Sequence, residues 1–138
     1  MDGGINLSLL EKKIREDSYA NFLGMKLEEV KKGYSKVSIK VKEDFKNFLG
    51  YVHGGLIFSL ADQAFAAASN SHGKVSVALQ MNISYVKAPS TGDILFAEAE
   101  EEYSSSKIGL YRIKVKDNSG NLIAEAQGIV YRKEKSVQ

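Results

Sequence analysis

Between residues 54 and 70 the chain reads G-G-L-I-F-S-L-A-D-Q-A-F-A-A-A-S-N, and no other stretch restricts the possible folds as much. Leu56, Ile57, Phe58, Leu60, Ala61, Ala64, Phe65, Ala66, Ala67 and Ala68 leave almost no polar circumference on a helix, so a helix here is covered on most of its sides. The run falls short of the roughly 20 apolar residues of a membrane span and is broken by polar groups, so its cover must be protein. Ala favours helix, and Gly73 after His72 supplies a stop. The polar exceptions Ser59, Asp62 and Gln63 fall with Gly55 and Ala66 at i, i+3, i+4 spacing and share one stripe.

Asp62 has two readings. Structurally, it is a solvated or hydrogen-bonded residue on the one wet stripe, as most aspartates are. Functionally, it gains from what precedes it. His53-Gly54-Gly55 sets two residues without Cβ at a helix N-terminus, where open N–H groups and the positive end of the dipole attract an anion or a developing oxyanion. Such donors plus a carboxylate base are the minimum equipment for acyl transfer to water. Asn47 adds a neutral amide able to orient a water or a carbonyl.

The run H-G-G-x-x-F-S-L-A-D-x-A-F from His53 to Phe65, with Asn47 six residues before His53, resembles the signature of the phenylacetic-acid-degradation thioesterases, a branch of the hotdog-fold acyl-CoA thioesterase superfamily. The resemblance extends more loosely from about residue 17 to 131. It implies an α+β hotdog fold, an antiparallel β-sheet wrapped around the central helix, with protomers pairing edge to edge, active sites formed across the dimer, and a homotetramer. Asp62 would be general base or nucleophile and Gly54 a backbone donor to the thioester carbonyl. Asn47 and His53 would position carbonyl or water, with Asp62 coming from the neighbouring protomer. His53 could equally serve as a loop-fixing hydrogen bond. The substrate would be an aryl-CoA or a short-to-medium acyl-CoA, and no cofactor is implied beyond the coenzyme A of the substrate.

One departure stands out. Family members often carry Thr or Ser three to four residues before the Asn of the following strand, whereas Ala78 and Leu79 precede Asn82 here. Ser76 lies on the same face as Ala78, but the role does not transfer to it. The acyl group needs an apolar pocket, for which Phe48, Leu49, Tyr51, Phe58 and Phe65 are candidates, with Gly55 beside them, although most would be core in any fold. Lys87, Lys107, Arg112, Arg132 and Lys133 are basic groups near strand ends that could meet the coenzyme A phosphates.

A net charge of +2, with Lys and Glu interspersed, gives no argument for nucleic acid. Without cysteine there is no disulfide or thiolate chemistry, and His53 and His72 alone do not suggest a zinc site, so no metal is expected. No basic segment followed by an apolar core opens the chain, which leads to the expectation of a cytoplasmic protein that does not bind membranes.

The 138 residues suggest one domain. Residues 1–4 should be loose, and Ser8 with Glu11 suggests a capping box opening a helix to about Tyr19. A strand is expected near residues 25–30, with a turn at Gly33. Val37, Ile39 and Val41 alternate with polar residues as in a half-buried strand. After the central helix, Val75 to Tyr85 alternates over a long strand. Pro89 to Gly92, Ser104 to Ser106 and Asp117 to Asn121 then separate three more strands, and residues 133–138 read as a frayed polar tail. Two other classes remain: a non-hydrolytic acyl-CoA binding module and a hotdog dehydratase or hydratase. Asp62 counts against the first, and the full motif against the second.

Overall fold

The computed structural model describes residues 6–137. The expected N-terminal helix is divided. Helix α1 (Leu7–Arg15) is capped by Asn6, whose side chain accepts the N–H groups of Ser8 and Leu9, so the cap lies two residues before the expected Ser8. Asp17 then adopts an extended conformation and caps α2 (Ser18–Leu23) by accepting from Ala20 N at 2.9 Å. Gly24, at φ 89°, closes α2 in the left-handed region where a side chain would be strained. Residues 1–4 lie outside the described residues.

Six antiparallel strands follow in the sheet order β1-β2-β4-β5-β6-β3. They are β1 (Lys26–Lys31), β2 (Tyr34–Lys40), β3 (Lys74–Tyr85), β4 (Ile94–Ser104), β5 (Ile108–Asp117) and β6 (Leu122–Ser136). Helix α3 (Gly54–Asn70) lies between β2 and β3 in sequence and packs across the sheet. Leu60, Ala61, Ala64 and Ala68 are wholly buried, facing Leu95, Ala97, Ala99 and Ile113. Alanines on both surfaces shorten the side chains at the contact and let the helix sit close to the strands. Phe65 fills the remaining space edge-on to Tyr111, with ring centroids 5.8 Å apart.

One detail of the sheet differs from the sequence expectation and another goes beyond it. Strand β6 runs on to Ser136, where it pairs with Lys74, so most of the expected tail is strand. The apolar face of β3 is only partly covered: Val77 is 39% and Leu79 60% exposed. Register shifts between Lys74 and Ser76 and between Ala78 and Gln80 break the alternation, and β3 is an edge strand with β6 on one side alone.

Candidate active site

The chain enters α3 through a loop closed by a bridge between Lys46 and Val52. Asn47 organises this loop. Its Oδ1 accepts Leu49 N at 2.9 Å and Tyr51 N at 3.1 Å, while its own N–H donates to Tyr51 O at 2.7 Å. Gly50 takes φ 87° so that the chain can reverse inside this ring of bonds. With the amide oxygen committed, Nδ2 makes no hydrogen bond among the described residues and remains as a donor.

His53 follows, its N–H held by Phe45 O at 2.8 Å. Its ring is the N-cap of α3, Nδ1 accepting Gly55 N at 2.9 Å. Accepting through Nδ1 places the neutral ring's proton on Nε2, which is thus a donor rather than a base. Leu56 N and Ile57 N turn back to His53 O. Gly54 N–H, the first of the helix, has no acceptor among the described residues. Tyr85, from the end of β3, donates its hydroxyl to Gly54 O at 3.2 Å and braces the peptide from behind. The N-terminus of α3 therefore presents an oriented, unused donor at the positive end of the helix dipole.

Asp62 stands on the expected stripe with Gly55, Ser59, Gln63 and Ala66, all of them exposed or half-exposed. Its carboxyl is nevertheless held above the usual aspartate range, first because surrounding protein strips part of its hydration, second because Asp17 carries a like charge nearby. Asp17 arrives on the N-cap of α2, where its Oδ2 accepts Gln63 Nε2 at 3.4 Å. One turn away, Tyr19 and Ser59 share a hydrogen bond of 2.8 Å. Helix α2 is thus a wall beside the stripe, and an open cavity of about 480 Å3 between them is lined by Tyr19, Leu23, Phe45, His53, Gly55 and Leu56.

The structure brings His53, Gly54 and Gly55 together with Asn47 in the adjoining loop, but Asp62 lies eight residues along α3, about 12 Å away at the usual helical rise. Of the apolar candidates, Tyr51, Phe48 and Leu49 are exposed on the loop, and Phe58 is half-buried. Phe65 is 1% exposed and sealed against Tyr111 and Gly128, so it belongs to the core and has no surface to offer an acyl group. Ser76 is likewise occupied, its hydroxyl bonded to Ser69 O at 3.1 Å, while Ala78 is exposed. Asp17 and Tyr19 were not among the sequence candidates. The signal for them is Asp17 followed seven residues later by Gly24, an N-cap and a stop that define a separate short helix.

Among the described residues no group of three or more His, Asp or Glu side chains is placed to hold a metal ion, and no helix is long and apolar enough to cross a membrane.

The model of the thioesterase superfamily matches residues 49–124. A putative esterase of Archaeoglobus fulgidus is 45% identical over 118 residues, which are 86% of this chain and 77% of that protein. The acyl-coenzyme A thioesterase PaaI of Escherichia coli is 32% identical over 116 residues, 84% of this chain and 83% of that one. The solved structure of the E. coli PaaI protein from the phenylacetic acid degradation operon matches with a TM-score of 0.89 at 28% identity, covering 96% of this chain and 100% of that chain.

Proposed function

The chain belongs to the thioesterase superfamily, in the PaaI-like hotdog branch, and on that premise we propose that it hydrolyses acyl-coenzyme A thioesters, of an aryl or a short-to-medium acyl group, to free acid and coenzyme A. The observation that carries this reading is the unused Gly54 N–H at the head of α3, beside a histidine whose Nδ1 is already committed to the cap.

In this reading the thioester carbonyl oxygen accepts from Gly54 N–H, with Asn47 Nδ2 and His53 Nε2–H as neighbouring donors. These groups stabilise the oxyanion as carbon becomes tetrahedral, the largest single contribution a preorganised site makes. Asp62 takes the proton of the attacking water, or attacks the carbonyl itself to form an anhydride that water then hydrolyses to free acid and the regenerated carboxylate; in either route the C–S bond breaks and the coenzyme A thiolate leaves. A raised carboxyl pKa makes the ionised form a stronger base. No cofactor enters this scheme.

Two groups about 12 Å apart cannot both touch one carbonyl, so Gly54 and Asp62 must come from different copies of the chain. The edge of β3 supports such pairing. It is 12 residues long, carries exposed Val77, Leu79 and Tyr85, and has an unpaired side suited to a second β3. The proposed unit is therefore a homodimer joined through β3, and a homotetramer is its proposed assembly.

The test is free-thiol release from a panel of aryl and straight-chain acyl-CoA substrates, with wild type beside Asp62→Asn. Turnover by wild type and a loss of at least ~100-fold in the variant supports the mechanism. Binding of the thioesters without thiol release by wild type would make the chain a binding module instead.

A further inference from the structure

Helix α2 is tied to the polar stripe of α3 at two points. Gln63 Nε2 donates to Asp17 Oδ2 at 3.4 Å, and the hydroxyls of Tyr19 and Ser59, forty residues apart in the chain, share a hydrogen bond of 2.8 Å. The helix has only six residues, yet both of its ends are fixed: Asp17 caps it through Ala20 N, and Gly24 turns the chain away at φ 89°. Ala20, on its inner side, is 5% exposed. The Tyr19 ring is thus carried on a fixed support and held where the stripe passes Ser59.

Ser59 lies four residues beyond Gly55, about 6 Å at the usual helical rise. The open cavity of about 480 Å3 spans this distance: His53 and Gly55, on either side of the Gly54 N–H in sequence, line it together with Tyr19 and Ser59. Between them its walls are Leu23 and Phe45, both half-buried, and buried Leu56. Its one lysine, Lys46, is paired with Glu43 at 2.7 Å, and Asp44 adds a negative charge to the lining. An apolar interior whose lysine is already answered suits an uncharged apolar group and does not suit a phosphate.

We propose that Tyr19 is a specificity-determining residue: its ring, held by Ser59, is the end wall of the cavity that receives the acyl group, and it sets the largest acyl group the site accepts. The inference rests on the thioesterase reading, in which the thioester carbonyl sits on Gly54 N–H. Such a carbonyl has a carbon side and a sulfur side. The sulfur side leads into the amide-bearing pantetheine arm, whose polar groups need partners that Leu23, Phe45 and Leu56 do not offer, so the cavity takes the carbon side. Tyr19 is 58% exposed, so the wall can be cut back without opening the core.

The experiment measures kcat/KM for thiol release from acetyl-, butyryl-, hexanoyl-, octanoyl-, benzoyl- and phenylacetyl-CoA by wild type, Tyr19→Phe, Tyr19→Ala and Phe22→Ala. Phe22 stands on the same helix, 83% exposed and outside the cavity, and controls for loss of an aromatic ring from α2. The quantity read is the octanoyl-to-butyryl ratio within each protein, which does not depend on the fraction of chains that fold. In Tyr19→Ala this ratio should rise about tenfold or more, and in Tyr19→Phe by less, because the ring stays but loses its hold on Ser59. Phe22→Ala should leave it unchanged. An unchanged ratio in Tyr19→Ala, or an equal rise in Phe22→Ala, overturns the proposal. So does a loss of the same factor for all six thioesters that is absent with acyl-N-acetylcysteamine thioesters, since it would put the pantetheine arm in the cavity.

The thioesterase reading fails separately. If wild type releases no thiol from any of the six, that reading falls, and calorimetric dissociation constants for the same thioesters decide on Tyr19. An octanoyl-to-butyryl affinity ratio that rises in Tyr19→Ala alone keeps the wall. An unchanged ratio, or no binding by wild type, removes it.

Discussion

The imidazole Nδ1 of His53 accepts Gly55 N–H at 2.9 Å, and a Cβ placed on Gly55 would stand 3.0 Å from that same nitrogen. The cap exists because the capped residue has no side chain. Gly55→Ala should push the ring away, costing about 1 kcal/mol of cap energy and lowering Tm by roughly 3–5 °C. It should also reduce kcat, because Nε2–H loses its aim. Thermal melts and thiol release check both effects. An unchanged melt together with an unchanged kcat would remove His53 from the positioning role.

Gly54 is the first helical residue, where proline is tolerated, and His53 before it already has φ −62° and ψ 132°, a conformation that proline accepts in its predecessor. Gly54→Pro therefore deletes the N–H while keeping the start of α3. The expected loss in kcat is about 10²- to 10³-fold with secondary structure retained by circular dichroism. If the site spans two copies, unfolding and refolding an equal mixture of Gly54→Pro and Asp62→Asn chains should restore about a quarter of wild-type activity, since half the dimers are mixed and each has one intact site. No recovery from a mixture that forms mixed dimers would place both groups on one chain.

Asp17→Asn keeps an oxygen to cap α2 but removes the charge that stands near Asp62. A neighbouring anion disfavours ionisation, so its removal lets Asp62 lose its proton more easily. The acid limb of the pH–rate profile should move to lower pH, with the plateau above it preserved. Profiles of kcat/KM for the two proteins test this. A limb that stays in place or moves upward would exclude Asp17 from setting the base.

At Gly128 an added Cβ would fall 2.5 Å from Phe65 Cζ, inside a ring that also meets Tyr111. The ring is surrounded by core and has no free direction of retreat. Gly128→Ala should destabilise the fold by about 1–3 kcal/mol through overpacking. Urea unfolding measures it, and a change below ~0.5 kcal/mol would mean that Phe65 moves more readily than its burial indicates.

Much of this architecture could be read before folding. The apolar circumference of residues 54–70 required a covered helix, and the alternation in β2 required a sheet with one buried face. The stripe of Gly55, Ser59, Asp62 and Ala66 followed from helical spacing alone and is the wet face in the structure. The split of α1 from α2 was missed because the capping box expected at Ser8 and the apolar spacing to Tyr19 suggested one continuous helix, and Asp17 with Gly24 was not weighed as a second cap and stop. What ends α1 there is the Asp17 cap with Asn21 Nδ2 returning to Arg15 O at 2.8 Å, a local bond pattern that competes with the helix. The exposure of Val77 and Leu79 could not be read from the alternation of β3. Alternation shows which residues share a face, but not whether anything covers that face.

The sequence by itself determined the central helix and the open N–H donors at its head, because both depend on neighbours within a few residues. Only the tertiary structure decided that Asp17 and Tyr19 flank the polar stripe of α3 and that Phe65 is core. Those relationships join residues tens of positions apart. They arise from strand order and packing angle, which no local pattern encodes.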